Sequence, residues 1–541
     1  VSYTIRWPQA RLQPYDHQRE GVRKLLQNPA YALFDEMGVG KSKQVVDTAC
    51  VLYEHGEIDT LIIVCPAFAR SVWSSPDPVL GEFAKHVWKS IPYRIDEYSS
   101  KNPKLPPPVE ILKVIVTNPE FLRVLTRDPL LKQKRIPFLD KTVHLKPIVA
   151  YAAARKTWLV VDESWMVQAP DADQTKAVER LARKCLRVTL LNGTPGNPYQ
   201  LYSQFRILNP DIFDDAPNAF TFKRRYCLMG GYMAKQIVGY QREEEFRRRT
   251  APYAVRRLAA ECLDLPPVLE PITIEARLTP ATWKIYKTMR DELVVWLSKS
   301  EASISAQAGV RTLRLRQILA GFLGGVQSFG EDLFPSEHEW AGHFTDCAAA
   351  KCVDCEPPCD CTCESVRRQQ ATREIGREKL DAVLAFVEAQ DVQKGVIWCG
   401  FRPEMARMAE ALRKTDRTVH LLQGQQDTDE REQAKMAFAP GGDPAPAWLV
   451  GHPQAGGAGI NLAAASLAIY VTNTSSLLLR QQSEKRIDRP GQTQRCRFVD
   501  VVAVGPDGQK TVDHAIAKAL RAREEIANYT AATWRQILEE E

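Results

Sequence analysis

The sequence has no apolar run approaching the roughly 18 residues that a membrane span needs, and no charged-then-apolar leader at its N-terminus. The expectation is a soluble intracellular protein without a membrane partner: cytoplasmic, associated with the nucleoid in a bacterial or viral setting, nuclear in a eukaryotic one. No repeat at solenoid period is evident and no disorder signature dominates. The only biased stretch outside one cysteine cluster is KNPKLPPP at 101–108, read as an exposed loop. Cysteine is scattered except in one place, since six of the 13 crowd into residues 347–363, which argues for a metal rather than for disulfides. A net charge of +6 suits a polyanion partner but equally a solubilising surface. What is present is ample: 541 residues, 44% hydrophobic and 26% charged, are enough for about two to four domains with cores of their own.

A glycine is also missing. FDEMGVGKSKQVV, residues 34–46, ends like a phosphate-binding loop, but Asp35 stands where the pattern G-x-x-x-x-G-K-[ST] begins. The rest of the loop can work: Gly38 and Gly40 let backbone N–H groups converge on phosphates, Lys41 reaches the β and γ oxygens, and Ser42 holds magnesium. Apolar Tyr31 to Phe34 runs into the loop and Gln44 to Leu52 reads as a helix, so the context is strand, loop, helix.

Apolar strand patterns alternate with helical ones in two regions. TLIIVCP (60–66), ILKVIVTN (111–118), WLVVDES (158–164) and RVTLLNGTP (187–195) make the first; GVIWCGF (395–401), TVHLLQG (418–424), AWLVGHP (447–453), LAIYVTN (467–473) and RFVDVVAV (497–504) make the second. Both predict parallel α/β lobes. Residues 210–330 lack such runs and carry charged helical patterns, which predicts a helical insertion and bridge. Within WLVVDESW a strand ends in two carboxylates on the lobe that bears the phosphate loop. Asp162 can hold magnesium through water, and Glu163 can orient and deprotonate an attacking water.

From about residue 11 to about residue 526 the chain resembles the SNF2-type ATPases of helicase superfamily 2. LQPYDHQREGV looks like that family's adenine-reading motif, with Gln18 as the implied adenine contact, and DEMGVGKS is similar to its DEMGLGKT, which lacks the first glycine too. LIIVCPAFARSVW matches a segment that touches one DNA strand, and VVDESW stands for the DEAH-like box. LLNGTPGNPYQLYSQFRILNP resembles the LTGTP motif that couples nucleotide state to DNA grip, with Gly193 and Thr194 at its core. GHPQAGGAGINLAAAS, containing Gly459, is similar to the glycine-rich motif before a DNA-contacting loop, and RQQSEKRIDRPGQT, containing Gln492, resembles QAxGRxHRIGQ. In that last motif Arg486 and Arg489 lie three apart on one side of a helix and are the implied arginine fingers, groups worth roughly 10³ to 10⁵ in rate.

The resemblance implies two RecA-like lobes, an N-terminal ATPase lobe at 1–209 and a C-terminal lobe at 371–541, joined through a helical protrusion and bridge at 210–330, and the cysteine cluster adds a Cys-rich zinc-binding insertion at 331–370. The resemblance also implies ATP and Mg²⁺ as cofactors, with Gln18, Gly38, Gly40, Lys41, Ser42, Gly459 and Gln492 as the nucleotide-binding residues and Ser42 and Asp162 as the magnesium contacts, and double-stranded DNA as the partner of a monomeric translocase. The alternatives are a strand-separating helicase acting on DNA or RNA, or a nucleotide-gated clamp that docks a protein through the zinc module. The stretch from Phe222 to Pro267, with its Arg-Tyr-Cys, Arg-Arg and Leu-Pro-Pro, looks most like the annealing helicases of the HARP type. The lack of chromatin-reading modules points to a minimal motor of bacterial or viral source. Three positions depart from the family: Trp165 and Asp488 replace histidines, and Asn192 replaces a threonine, all where nucleotide state is relayed.

The cluster itself, SEHEWAGHFTDCAAAKCVDCEPPCDCTC, holds Cys347, Cys352, Cys355, Cys359, Cys361 and Cys363, with His338 and His343 upstream. A structural zinc needs four such ligands, and the spacing of Cys352 and Cys355 is that of a zinc knuckle. The segment is too short for the two-zinc cross-brace of a RING. One ion is expected, held by Cys352 and Cys355 with two of the remaining cysteines.

Overall fold

Strand β1 (Ala30–Leu33) runs into the phosphate loop, and five further parallel strands follow it in the chain: β2 (Thr60–Val64), β3 (Tyr93–Glu97), β4 (Leu112–Thr117), β5 (Thr157–Val161) and β6 (Arg187–Leu191). The computed structural model describes the chain apart from residues 1–2, 6, 8–9, 79–80, 108–109, 123–143, 194, 231–235, 300–304, 325–371, 416, 424–427, 455–459, 475 and 523–541. An antiparallel hairpin of β7 (Cys227–Gly230) and β8 (Gln236–Tyr240) comes next, and then β9 (Ala254–Val255) returns to the sheet beside β1. The order is β3-β4-β2-β5-β6-β1-β9, with every pairing parallel.

This sheet is covered on both faces, which is why its central strands read as unbroken apolar runs. Successive side chains alternate between two cores. Ile62, Val64, Leu159 and Val161 join one, while Leu61, Ile63, Trp158 and Val160 join the other. The helix Lys41–Glu54 packs its buried Val45, Ala49 and Leu52 into the second core.

In the second half, β10 (Ile272–Arg277) precedes the helices Pro280–Lys299 and Ser305–Leu319. A short antiparallel pair joins β11 (Phe322–Gly324) to β12 (Thr372–Glu374). Then come β13 (Lys394–Trp398), β14 (Thr418–Leu422), β15 (Ala447–Gly451), β16 (Leu467–Tyr470) and β17 (Arg497–Val504). The second sheet is also all parallel, in the order β10-β17-β16-β13-β15-β14. The chain forms two compact units, the first comprising Val1–Pro266, Gly457–Ala463 and Asp488–Thr493, the second the remainder.

All ten strands read from the apolar runs, the one before the phosphate loop included, are present, and so is the helix after that loop, extended at both ends. The expectation that 210–330 carries no sheet strand is corrected by β9 and β10, and by the β7–β8 hairpin. β9 is only two residues long, too short for any periodicity, and ITIEAR in β10 alternates exposed side chains with half-buried or buried ones at a sheet edge. Edge strand β3 escapes the apolar pattern for a related reason: its sequence YRIDE carries an Arg94–Asp96 ion pair of 2.7 Å on its exposed side. No helix among the described residues is long and apolar enough to cross a membrane. The cysteine cluster at 347–363 lies outside the described residues.

Candidate nucleotide site

The loop that follows β1 turns through two left-handed glycines, Gly38 at φ +86° and Gly40 at φ +89°, the second of which is the N-cap of helix Lys41–Glu54. A side chain is excluded at Gly40 by space as well as by φ, because a Cβ there would stand 2.2 Å from Nε2 of Gln18. The helix N-terminus therefore leaves its first N–H groups directed at an anion site, with Lys41 and Ser42 in its first turn.

Lys41 folds back on its own loop, its Nζ donating to the carbonyl oxygens of Asp35 at 2.7 Å and Glu36 at 3.1 Å. Burial lowers the pKa of this ammonium, opposed by the charges of Glu163, Asp35, Asp162 and Glu36. The four nearby carboxylates favour the charged ammonium, which has one further N–H to donate. Gln18 is buried, and both ends of its amide are engaged, Oε1 by the Tyr15 N–H at 3.1 Å and Nε2 by the Val39 carbonyl at 3.1 Å. The implied adenine reader is thus also a brace on the phosphate loop.

Asp162 and Glu163 follow β5, two strands from β1 in the sheet. Each carboxylate is held by an indole. Trp73 Nε1 donates to Asp162 Oδ2 at 2.8 Å, and Trp165 Nε1 donates to Glu163 Oε2 at 2.9 Å. Burial pushes the Asp162 carboxyl above its ordinary range, and Trp73, Lys41 and the Glu163 N–H pull it back. Glu163 has φ +52°, a left-handed conformation that costs a non-glycine residue about 1–3 kcal/mol and is retained at functional turns. Trp73 lies in the segment read for DNA contact, and its part in holding the carboxylate has no sequence signal. For Trp165 the only signal is its departure from the family's histidine.

The end of β6 closes the site. Asn192 is fully buried, and its Nδ2 donates at 3.2 Å to Gln204 Oε1, the same oxygen that accepts the Ser164 hydroxyl at 2.6 Å. A single glutamine side chain therefore ties the Asp-Glu-Ser-Trp box to the LLNGTP motif. Gly193 packs against the loop so closely that a Cβ would meet Met37 Cγ at 2.6 Å.

The structure brings Gln18, Gly38, Gly40, Lys41, Ser42, Asp162 and Glu163 together in the first unit. Arg489 and Gln492 fall in a segment counted with that unit, where Arg489 Nη1 donates to the Ile460 carbonyl at 3.0 Å, while Arg486 is buried in the second unit. Thr194 and Gly459 lie outside the described residues, as do His338, His343, Cys347, Cys352, Cys355, Cys359, Cys361 and Cys363. Among the described residues no group of three or more metal-ligating side chains occurs.

The chain is 27% identical over 218 residues to the SWI/SNF-related matrix-associated actin-dependent regulator of chromatin subfamily A-like protein 1 of Xenopus laevis, a match covering 39% of this chain and 18% of that protein. It is 26% identical over 268 residues to the human DNA annealing helicase and endonuclease ZRANB3, covering 48% of this chain and 22% of the relative. The chain thus spans about a fifth of the length of these curated relatives. Among solved structures it is similar to the Sulfolobus solfataricus SWI2/SNF2 ATPase core in complex with dsDNA, at 19% identity and a TM-score of 0.38 over 100% of this chain and 97% of that one. The model of the SNF2-related domain matches residues 17–321, more than half of the sequence, and the chain belongs to that family of ATPase and helicase-like enzymes.

Proposed function

We propose that the protein is an ATP-dependent translocase that moves along double-stranded DNA, built from two RecA-like lobes. The observation that carries the reading is the grouping of Lys41, at the start of the helix after β1, with Asp162 and Glu163, just past the end of β5 in the same sheet, close enough for their charges to act on one another. Lys41 and the loop N–H groups hold the β and γ phosphates. The Ser42 hydroxyl and the Asp162 carboxylate form a hard oxygen donor pair of the kind magnesium takes, and the ion would offset phosphate charge. Glu163, oriented by Trp165, aligns the attacking water and accepts its proton, and Gln18 adds the adenine contact. Arg486 and Arg489 carry the implied role of stabilising transition-state charge, and Gly459 and Gln492 stand in the motifs implied to contact nucleotide and DNA.

Duplex DNA as the track is supported by the family motifs, and DNA as the partner by the human relative's name. The annealing-helicase branch is favoured by the likeness to the human relative just described. The test is ATP turnover with duplex, single-stranded and forked DNA and with RNA, alongside displacement of a triplex-forming strand. Duplex stimulation with triplex displacement and no duplex separation supports the reading; robust unwinding of blunt duplexes, or stimulation by RNA alone, overturns it.

For the cysteine cluster we propose one structural zinc that includes Cys352 and Cys355, with DNA or a protein partner as the surface it serves. The support is spacing: Cys352 and Cys355 form the C-x2-C pair of a zinc knuckle, and the other thiols within residues 347–363 can supply the two further ligands a tetrahedral ion takes.

A further inference from the structure

Asp35, where the first glycine of the phosphate pattern is missing, is fully buried and accepts three hydrogen bonds. The Arg257 N–H donates to Oδ1 at 3.1 Å, while Arg257 Nη1 and Gln44 Nε2 each donate to Oδ2 at 3.2 Å. On either side the pattern continues. The Phe34 N–H donates to the Val255 carbonyl at 2.8 Å, the Glu36 N–H to the Arg257 carbonyl at 2.8 Å, and the Ala259 N–H to Glu36 Oε2 at 2.8 Å. Three consecutive residues entering the loop are therefore fastened to alternate residues of a segment 222 positions away. Arg257 also reaches Glu20 at 3.4 Å, on the helix that bears Gln18. In that helix Gly21 makes room for Gln44, whose Oε1 would stand 1.7 Å from a Cβ at that position.

The same two residues hold Lys41 by their carbonyl oxygens. Asp35 and Glu36 are thus gripped from two directions, by Lys41 on the backbone and by Arg257 and Ala259 on the carboxylates. Lys41 spends two of its three N–H donors on those carbonyls, so a phosphate oxygen taken by the third shares its ammonium with the dipeptide, and any shift of Nζ toward phosphate pulls on Asp35 and Glu36.

We propose that Arg257 is a positioning residue of the nucleotide site, one that fixes Asp35 and Glu36 and links phosphate occupancy of the loop to the anchoring of the segment from Val255 to Cys262. That segment leads to Pro266, the last residue of the first unit's N-terminal run. The inference rests on the loop being an ATP site. Linkage makes the effect reciprocal: if the anchored segment favours the nucleotide-bound loop, then nucleotide favours the anchored segment by the same factor.

The experiment uses the full chain, wild type beside Arg257→Met and Arg257→Lys, with a fluorescent ADP analogue for affinity and amide hydrogen exchange with and without Mg·ADP. In the wild type ADP is expected to slow exchange of the Arg257 and Ala259 amides about fivefold or more, the lower end of ordinary coupling between sites. Arg257→Met is expected to weaken ADP binding about tenfold and to abolish that slowing. Arg257→Lys, which keeps the charge without the planar fork, should recover part of both. Affinity within about twofold of wild type in a folded Arg257→Met protein overturns the proposal, as does unchanged exchange in a wild type that binds ADP. If Arg257→Met does not fold, the wild-type exchange result decides by itself, because it needs no substitution. A wild type that binds no ADP at all overturns instead the reading of the loop as an ATP site.

Discussion

The indole of Trp165 donates to Glu163 at 2.9 Å, so the residue standing in place of the family's histidine is bonded to the side chain proposed to align the attacking water. An indole N–H can donate but cannot accept or carry charge. It keeps the carboxylate turned in one direction without adding a titrating group of its own. The left-handed backbone of Glu163 and the Trp73 bond to Asp162 serve the same end, fixing two acidic side chains on a turn that would otherwise leave them mobile.

Lys41→Ala and Glu163→Gln are expected to separate binding from chemistry. Loss of the ammonium removes phosphate holding. Exchanging the Glu163 carboxylate for an amide leaves the loop untouched and removes only proton acceptance, at a cost of about 10² to 10⁴ in turnover. Steady-state hydrolysis together with nucleotide titration checks this. Near-normal turnover in Glu163→Gln removes that residue from the mechanism.

Gly40→Ala is expected to damage the loop far more than Gly56→Ala does the turn at its own position. Both glycines have positive φ, so both substitutions carry backbone strain of about 1 kcal/mol or more. Only at Gly40 does the new Cβ also strike Gln18, at 2.2 Å, while nothing lies within 4 Å at Gly56. Melting temperature and nucleotide affinity of the two variants, measured side by side, give the comparison. Equal effects would show that Gln18 yields freely.

In the second unit Asp500 is buried, yet its carboxyl is held below its ordinary range. Burial opposes ionisation, and it is outweighed by the charge of Arg480 at 2.5 Å and by hydrogen bonds from Asn473, Arg480 and Arg521. A depressed carboxylate contributes stability that is present above its unfolded value and is lost as pH falls through the lower folded value. Asp500→Asn should therefore destabilise the protein by about 3–5 kcal/mol near neutral pH. The gap from wild type should close as pH drops below the ordinary carboxylate value of 3.8. Urea unfolding from about pH 7 to about pH 3 follows the gap, and a pH-independent difference would assign the loss to packing.

Removing Cys352 and Cys355 should release zinc while leaving basal hydrolysis largely intact, because neither lies in a motif read for nucleotide binding. Elemental analysis of protein purified without chelator measures the first part and DNA-free turnover the second. Protein that carries no zinc before any substitution would end the zinc reading.

Much of this molecule is written in short segments. The apolar runs that became β1, β2 and β4 to β6 are buried on both faces, so burial alone marked them. The same local code placed Gly38, Gly40, Lys41 and Ser42 on a strand, loop and helix, and set Asp162 and Glu163 at a strand tip. Spacing and order along the chain carried that information, because each feature depends on residues within a few positions of one another. What the sequence could not show was who meets whom across the sheet. Edge strands β3 and β10 carry charged or alternating side chains that look like loop, and only pairing with β4 and β17 makes them strands. Trp73 reaches Asp162 from 89 positions away and Arg257 reaches Asp35 from 222, distances over which no periodicity connects donor to acceptor. Those partners were decided by the route of the backbone: β9 returns to lie beside β1, and a buried carboxylate there had to find its donors in whatever chain the fold brought back.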